Sequence, residues 1–152
     1  MKKYILLLFL LPVILLSAER SGDREILNHP LWKQGFDEYT VNREIVEILQ
    51  SKIREIDSID VYFAFWCGDS VNNVPPFIKI VNAIEEKHLK INYFKVKRKQ
   101  SGEKYYYKKL RVERVPTFIF FKDEKEIGRI IENPKKNIEE DILEILLSTL
   151  DK

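Results

Sequence analysis

The chain has 152 residues, 45% of them hydrophobic, with 26 basic and 24 acidic side chains and a single cysteine. That length is enough for one domain around one hydrophobic core. Because the charge is nearly balanced and one cysteine cannot pair within the chain, the composition excludes a globally basic nucleic-acid-binding protein and a small secreted scaffold held together by disulfides.

Residues 1–18 have the pattern of a secretory signal peptide. Two lysines precede an apolar stretch of thirteen positions, Tyr4–Leu16, and the small residues Ser17 and Ala18 follow it. The alternative is an uncleaved membrane anchor, but this stretch is too short to span a bilayer comfortably. Since the two lysines are the only charges before residue 19, cleavage leaves 24 basic and 24 acidic residues. We expect an exported protein, periplasmic, envelope-bound or secreted, with membrane association only if the leader is retained.

The rest of the chain divides into alternating helical and extended segments. Residues 19–41 form a polar N-terminal extension. Within it we expect loop and short helix at 21–35 and an edge strand at 36–41. Asn42 is a candidate N-cap, and isoleucine and leucine recur at helical spacing after it, which predicts a helix at 42–56. The apolar, aromatic run 59–66 is typical of a strand buried on both faces. Further along, we predict a helix from 67 to 88, a strand at 90–97, a short helix within 98–111, strands at 118–122 and 126–131, and a helix at 136–150.

This order of elements predicts an α/β fold for residues 42–152. Helices join the first two strands, so those strands should be parallel, and a charged turn at 123–125 makes the last two a hairpin. We therefore expect a central mixed sheet with helices on both faces.

The sequence is organised around Cys67, the residue that follows the predicted strand 59–66. Asp69 and Ser70 could cap the helix that begins after it. At that position the positive end of the helix dipole would stabilise a thiolate, which is the reactive form of cysteine. The alternative is that Cys67 is a small, inert side chain buried in the core.

Three motifs together resemble the thioredoxin family over about residues 42–150. The segment Trp66–Ser70 reads WCGDS and is similar to the family's W-C-G-x-C active site, with serine in the second cysteine position. Pro75 lies eight residues after the cysteine, where thioredoxins kink the active-site helix. Val115–Thr117 reads VPT and is similar to the family's cis-proline loop, followed by a strand. The resemblance implies a thioredoxin-like three-layer α/β/α sandwich.

The resemblance also implies roles for individual residues. Cys67 would be the nucleophile, and Ser70 would donate a hydrogen bond to its thiolate. The backbone of Val115 would pair with an extended client, a form of strand addition. A proline at position 116 could also be an ordinary loop terminator. The residues that would form the client groove are Trp66, Gly68, Asp69, Val115 and Pro116.

The departures from the family pattern matter for function. A serine hydroxyl cannot take part in disulfide exchange, so Ser70 removes the internal disulfide of a thioredoxin. Asp69 disfavours a second negative charge next to the sulfur. The family commonly places a buried acid six residues before the first cysteine, but this chain has Val61 there, and Asp60 would face the opposite way.

These departures predict a monothiol redox partner and leave the question of enzymatic turnover open. Cys67 would form mixed disulfides with protein clients that carry thiols or disulfides, and a client cysteine or a separate reductant would resolve them. The alternative is a non-catalytic, chaperone-like module that holds extended segments beside Pro116. His29 and His88 have no metal-ligand spacing, and no motif indicates a cofactor.

A basic, tyrosine-rich segment follows the second predicted strand. Its side chains at 97–111 include seven lysines or arginines around Tyr105–Tyr107, with Glu103 as the one acid. Such a run is most often a solvated surface. Basic residues interleaved with aromatic rings can also bind single-stranded nucleic acid, but an exported protein would rarely meet it. Because it begins at the carboxyl end of a parallel strand, it should lie at the same sheet edge as Cys67, where it would favour acidic clients or the thiolate.

Overall fold

The computed structural model describes residues 21–150, with side chains from 22 to 148. The predicted signal peptide, residues 1–18, lies outside this range. The elements of the described part, in chain order, are α1 Ser21–Leu27, α2 Pro30–Glu38, α3 Arg43–Lys52, a 3₁₀ turn Ile53–Glu55, β1 Ser58–Phe63, α4 Gly68–Ile84, β2 Lys90–Lys95, β3 Thr117–Lys122, β4 Lys125–Ile131 and α5 Ile138–Leu150.

The four strands form one mixed sheet in the order β2-β1-β3-β4. β1 is parallel to β2, with Val61 opposite Tyr93, and antiparallel to β3, with Val61 opposite Phe118. β3 and β4 form the predicted hairpin, which carries one bulge between Phe120 and Phe121. The α/β class, the mixed sheet and the strand directions are therefore confirmed.

One face of the sheet carries the main hydrophobic core. Side chains alternate between the two faces of a strand, so Ile59, Val61 and Phe63 of β1 all point to this face. They belong to a single cluster that includes buried side chains from every helix in the described part of the chain. The fully buried members from the helices and from β3 include Trp32, Leu49, Phe77, Ile80, Phe118, Phe120 and Ile142. All five helices therefore pack on the same face.

The opposite face is covered by irregular chain. Tyr62 and Ile119 form a smaller, separate cluster there with Val112 and Val115. The short helix predicted within 98–111 is wrong, because this segment consists of turns closed by a single bridge between Tyr107 and Val112. The segment lacks the periodic apolar positions that a helix would need to bury. The thioredoxin-like α/β fold stands, but the expectation of helices on both faces does not.

The N-terminal extension is more ordered than the sequence indicated. The edge strand predicted at 36–41 is wrong, because α2 continues to Glu38 and residues 39–42 connect it to α3 without joining the sheet. Pro30 occupies the first turn of α2, where a missing N–H costs nothing. Trp32 is fully buried and packs its ring against Phe63, at a centroid distance of 5.5 Å. Packing against the sheet therefore fixes this segment.

Two helix boundaries follow from local chemistry. The side chain of Asn42 accepts a hydrogen bond from the Ile45 N–H and caps α3, as predicted. α4 ends at Ile84, earlier than expected, because Glu85 adopts a left-handed conformation with φ of 55°. α4 also contains Pro75, in the turn where the sequence placed it.

Candidate functional site

Cys67 lies at the junction between β1 and α4. Its N–H donates to the Ala64 carbonyl at 3.1 Å, and its own carbonyl accepts the first helical hydrogen bond, from the Val71 N–H. Its backbone is extended, with φ of −102° and ψ of 120°, as expected at an N-cap. Cys67 is partly exposed. The predicted strand-to-helix position is therefore confirmed, and the cysteine is not sealed in the core.

The proline loop lies directly against this cysteine. The Val115–Pro116 peptide bond is cis, as the resemblance implied. The Cys67 thiol donates to the Val115 carbonyl oxygen, with Sγ 3.1 Å from that oxygen. Residues 48 positions apart in the chain therefore meet at one sulfur.

The backbone on either side of Val115 is held in place. The Pro116 carbonyl accepts from the Glu132 N–H at 2.7 Å, and the Thr117 hydroxyl donates to the Arg114 carbonyl at 2.8 Å. Within residues 21–150, the Val115 N–H has no hydrogen-bond partner. The loop therefore presents one backbone donor that the fold itself does not use.

Ser70 is fully buried behind the cysteine. Its hydroxyl oxygen accepts a hydrogen bond from the Ala64 N–H at 3.3 Å, which ties the end of β1 to the first turn of α4. A hydroxyl also carries one donor hydrogen, and this contact does not use it. No hydrogen bond joins Ser70 to Cys67 in the described part of the chain. Its role as a donor to the thiolate stays a prediction.

Asp69 faces a polar network on one side of the site. Its carboxylate accepts from the Asn133 amide at 3.3 Å. The amide nitrogen of Asn73, one turn further along α4, lies within hydrogen-bond distance of the Asp69 carbonyl, the Glu132 carbonyl and the Asn133 side chain. This network joins the start of α4 to the chain that follows β4. The sequence analysis missed Asn73, which the sequence alone does not distinguish from its exposed neighbour Asn72.

Trp66 lies on the other side of the site, under the basic segment. The Arg98 guanidinium is 4.5 Å from the centroid of the Trp66 ring, and the Tyr106 ring lies 6.1 Å from it. The Lys99 ammonium is 4.6 Å from the Tyr106 ring. The pKa of Tyr106 is raised, first by burial and next by negative charge on Cys67, while Arg98 opposes the shift. The basic segment therefore begins beside Cys67, as predicted.

A family model described as thioredoxin matches residues 22–144. This chain belongs to the thioredoxin family. The match includes α1 and α2, which the sequence analysis treated as an extension before the domain. No curated protein sequence matches the chain.

Solved structures are similar to this chain at low sequence identity. A protein of unknown function from Pseudomonas aeruginosa has a TM-score of 0.54 and 13% identity, over 89% of this chain and 88% of its own. A thioredoxin from Trypanosoma brucei brucei has a TM-score of 0.44 and 22% identity, over 74% of this chain and 89% of its own. Thioredoxin O2 from Arabidopsis thaliana has a TM-score of 0.39 and 20% identity, over 72% and 83%.

The position of the thioredoxin family's buried acid is apolar in this chain. Val61 is fully buried on the helical face of the sheet. Asp60 points to the opposite face, where the Asn92 amide donates to its carboxylate at 2.8 Å. Burial raises the pKa of Asp60, and the bond from Asn92 acts against that shift. The predicted opposite orientation of these two residues is confirmed.

Two further properties concern only residues 21–150. Within that range, no group of three or more histidine, cysteine, aspartate or glutamate side chains is placed to hold a metal ion. None of the helices in the same range has the length and apolar character required to cross a bilayer. The His29 ring stacks on the Phe65 ring, with 5.5 Å between the two centroids, so this histidine has a packing role.

Proposed function

We propose that this thioredoxin-family protein is an exported monothiol redox partner that forms mixed disulfides with protein clients through Cys67. The observation that carries the proposal is the 3.1 Å contact between the Cys67 sulfur and the carbonyl oxygen before the cis Pro116. It places a partly exposed thiol, a helix N-terminus and an unused backbone donor at one point.

The chemistry is a thiol–disulfide exchange. The Cys67 thiolate attacks one sulfur of a client disulfide, the client S–S bond breaks, and the other client sulfur leaves as a thiolate that takes up a proton. With a client sulfenic acid the same mixed disulfide forms and water is released. A second thiol, from the client or from a separate reductant, then attacks the mixed disulfide and frees Cys67. Ser70 cannot perform that second step.

The Val115 backbone supports client binding. An extended client can donate to the Val115 carbonyl and accept from the Val115 N–H, as an added strand does. The carbonyl oxygen has two lone pairs, so it can accept a client N–H as well as the Cys67 thiol.

A non-catalytic binding module is the second candidate. The unused Val115 N–H and the exposed Trp66 support it, because both fit an extended segment without any reaction of Cys67. Cys67→Ser separates the two functions. A binding module retains its clients after this change, whereas a redox partner loses covalent capture.

The test uses a peptide whose one cysteine is activated as a mixed disulfide with thionitrobenzoate. The wild-type protein should gain the mass of one peptide and keep it, because the chain has no second cysteine. Cys67→Ser should gain nothing, and Ser70→Ala is a matched control that should still form the adduct. A wild-type protein that forms no adduct while its fold is intact would falsify the proposal.

Ser70→Cys gives a sharper prediction. A cysteine at this position lies one helical turn after Cys67 and can release the captured peptide as an internal disulfide forms. The variant should therefore reduce a disulfide substrate such as insulin with a dithiol as electron source, at least about tenfold faster than wild type. Wild-type turnover equal to that of the variant contradicts the monothiol proposal.

Export is part of the same proposal. Edman sequencing of the protein from its native envelope should begin near residue 19. A protein that still begins at Met1 in the membrane fraction contradicts cleavage and supports the anchor alternative.

A further inference from the structure

Four side chains form a cation–aromatic surface beside the cysteine: Trp66, Tyr106, Arg98 and Lys99. Arg98 lies over the Trp66 ring and Lys99 lies over the Tyr106 ring, at 4.5 Å and 4.6 Å from their centroids. Cys67 and Tyr106 pack against the same small cluster on the second face of the sheet. The surface therefore touches the reactive site, not a remote part of the domain.

Neither cation of this surface is neutralised by an acid. Within residues 21–150, Arg98 forms no ion pair, and its side chain is exposed. The Lys99 ammonium donates to the carbonyl oxygens of Lys104 and Glu113, which are neutral acceptors that leave its charge in place. Two positive charges without an acidic partner therefore lie over Trp66 and Tyr106.

Two other cations near the site are paired with acids. Arg114 bonds the Glu132 carboxylate at 2.6 Å, and Lys104 lies 3.2 Å from the Glu113 carboxylate. The one acid within 97–111, Glu103, accepts from the Gln100 N–H. Several cations of the same segment also form no ion pair within residues 21–150, namely Lys97, Lys108, Lys109 and Arg111. Arg98 and Lys99 differ from these in lying over Trp66 and Tyr106, the rings beside Cys67, where their charges complement an anionic ligand.

The ring faces argue against nucleic acid as that ligand. Base stacking needs an open aromatic face. Arg98 already covers a face of Trp66, and Lys99 covers a face of Tyr106. The stacked guanidinium still presents N–H groups at its edge, and its planar fork suits a carboxylate.

We propose that the cation–aromatic surface selects clients that carry acidic side chains within about three residues of the cysteine that Cys67 attacks. This inference rests on the proposed function and names its substrate class. The client lies extended across the site, with its backbone at Val115 and a carboxylate on the Arg98 guanidinium. Lys99 adds a second attractive charge and holds the loop in shape through its two carbonyl contacts.

The test measures adduct formation with three peptides, each activated at its one cysteine with thionitrobenzoate. The peptides differ only in the residues that flank the cysteine, which are glutamate, glutamine or lysine. Each rate constant is divided by the rate of the same peptide with a small neutral thiol, which removes differences in intrinsic reactivity. The wild-type protein should prefer glutamate over lysine by about five- to tenfold at low ionic strength, and the preference should shrink as salt is added.

Variants locate the preference. Arg98→Gln should reduce the ratio between the glutamate and lysine peptides to about twofold or less, while Arg98→Lys, which keeps the charge but loses the planar fork, should give an intermediate ratio. Lys109→Gln is the matched control, because it removes one exposed positive charge from the same segment, at a position that lies over neither Trp66 nor Tyr106 in the described part of the chain. It should leave the ratio unchanged.

The outcomes separate this inference from the proposed function. Equal normalised rates for the three wild-type adducts overturn the inference and leave the redox function standing. The absence of any adduct overturns the redox function itself. An equal loss of preference in Arg98→Gln and Lys109→Gln shows a general charge effect and also overturns the inference. So does Arg98-dependent binding of an oligothymidine or of anionic vesicles at physiological salt without any preference among the peptides.

Discussion

The two faces of the sheet are built in different ways. On one face, five helices bury aliphatic and aromatic side chains into a single core, within which Phe77 and Phe118 are fully buried with their rings 4.8 Å apart. On the other face, an irregular segment covers a small cluster and leaves aromatic rings such as Phe94 and Tyr107 partly exposed. Hydrophobic stabilisation grows with buried apolar area, so most of it comes from the helical face.

Cys67 lies where the two faces meet. It begins α4, whose buried side chains belong to the helical core, yet its own contacts are with Val115 and the smaller cluster. The helical face holds the cysteine in position, and the other face supplies the groups that a client meets. The substitutions that follow test this division, from the largest expected effect to the smallest.

Phe118→Ala should cause the largest loss of stability. The ring is fully buried on the helical face, and its removal leaves a cavity that costs about 3–5 kcal/mol. Phe94→Ala is the matched change on the other face, where the ring is 39% exposed, and it should cost less than about 2 kcal/mol. Urea unfolding of both variants measures the difference, and equal losses contradict the comparison.

Gly128→Ala should have an intermediate effect. A Cβ atom there would lie 2.8 Å from a methyl carbon of Ile145 on α5, so the Ile145 side chain or the helix that carries it must shift, at a cost of about 1–3 kcal/mol. Gly68→Ala is the control, because a Cβ atom at this position, next to Cys67, meets nothing within 4 Å. It should be neutral within about 0.5 kcal/mol. A neutral Gly128→Ala would show that α5 packs more loosely against β4 than the structure indicates.

Asp60→Asn should have the smallest effect, and one that depends on pH. Burial raises the pKa of Asp60 above 3.8, so the folded protein keeps this proton at pH values where the unfolded chain has lost it. Stability therefore falls as the pH rises from about 3.8 through the folded pKa. The variant should be slightly more stable than wild type at pH 7 and equal to it near pH 3. A variant that is less stable at pH 7 would mean that the bond from Asn92 outweighs burial.

Short-range patterns account for the parts of this molecule that the sequence predicts. The apolar run before Cys67 identifies β1, Asn42 identifies the cap of α3, and the VPT motif identifies the cis-proline loop. Each depends on a few neighbouring residues whose conformational preferences agree with the fold.

The remaining features depend on contacts between distant residues. α2 packs on the sheet through Trp32, whose ring contacts Phe63 in another element. Residues 36–41 alternate in character but do not reveal this contact, so the end of the helix was predicted as a strand. In the same way, Arg98 stacks on Trp66 only because β2 ends beside the start of α4. The position of the basic segment was predicted correctly. Its irregular conformation was not, because it depends on packing against the second face of the sheet, and no local pattern predicts that packing.

The central claim is that Cys67 is a reachable thiol in the folded protein, and its alkylation measures this most directly. Iodoacetamide labelling of Cys67 is followed by intact mass under native conditions and again in denaturant. The folded protein should be labelled much faster than it unfolds, because Cys67 is partly exposed. Labelling that proceeds only as fast as the protein unfolds would contradict it.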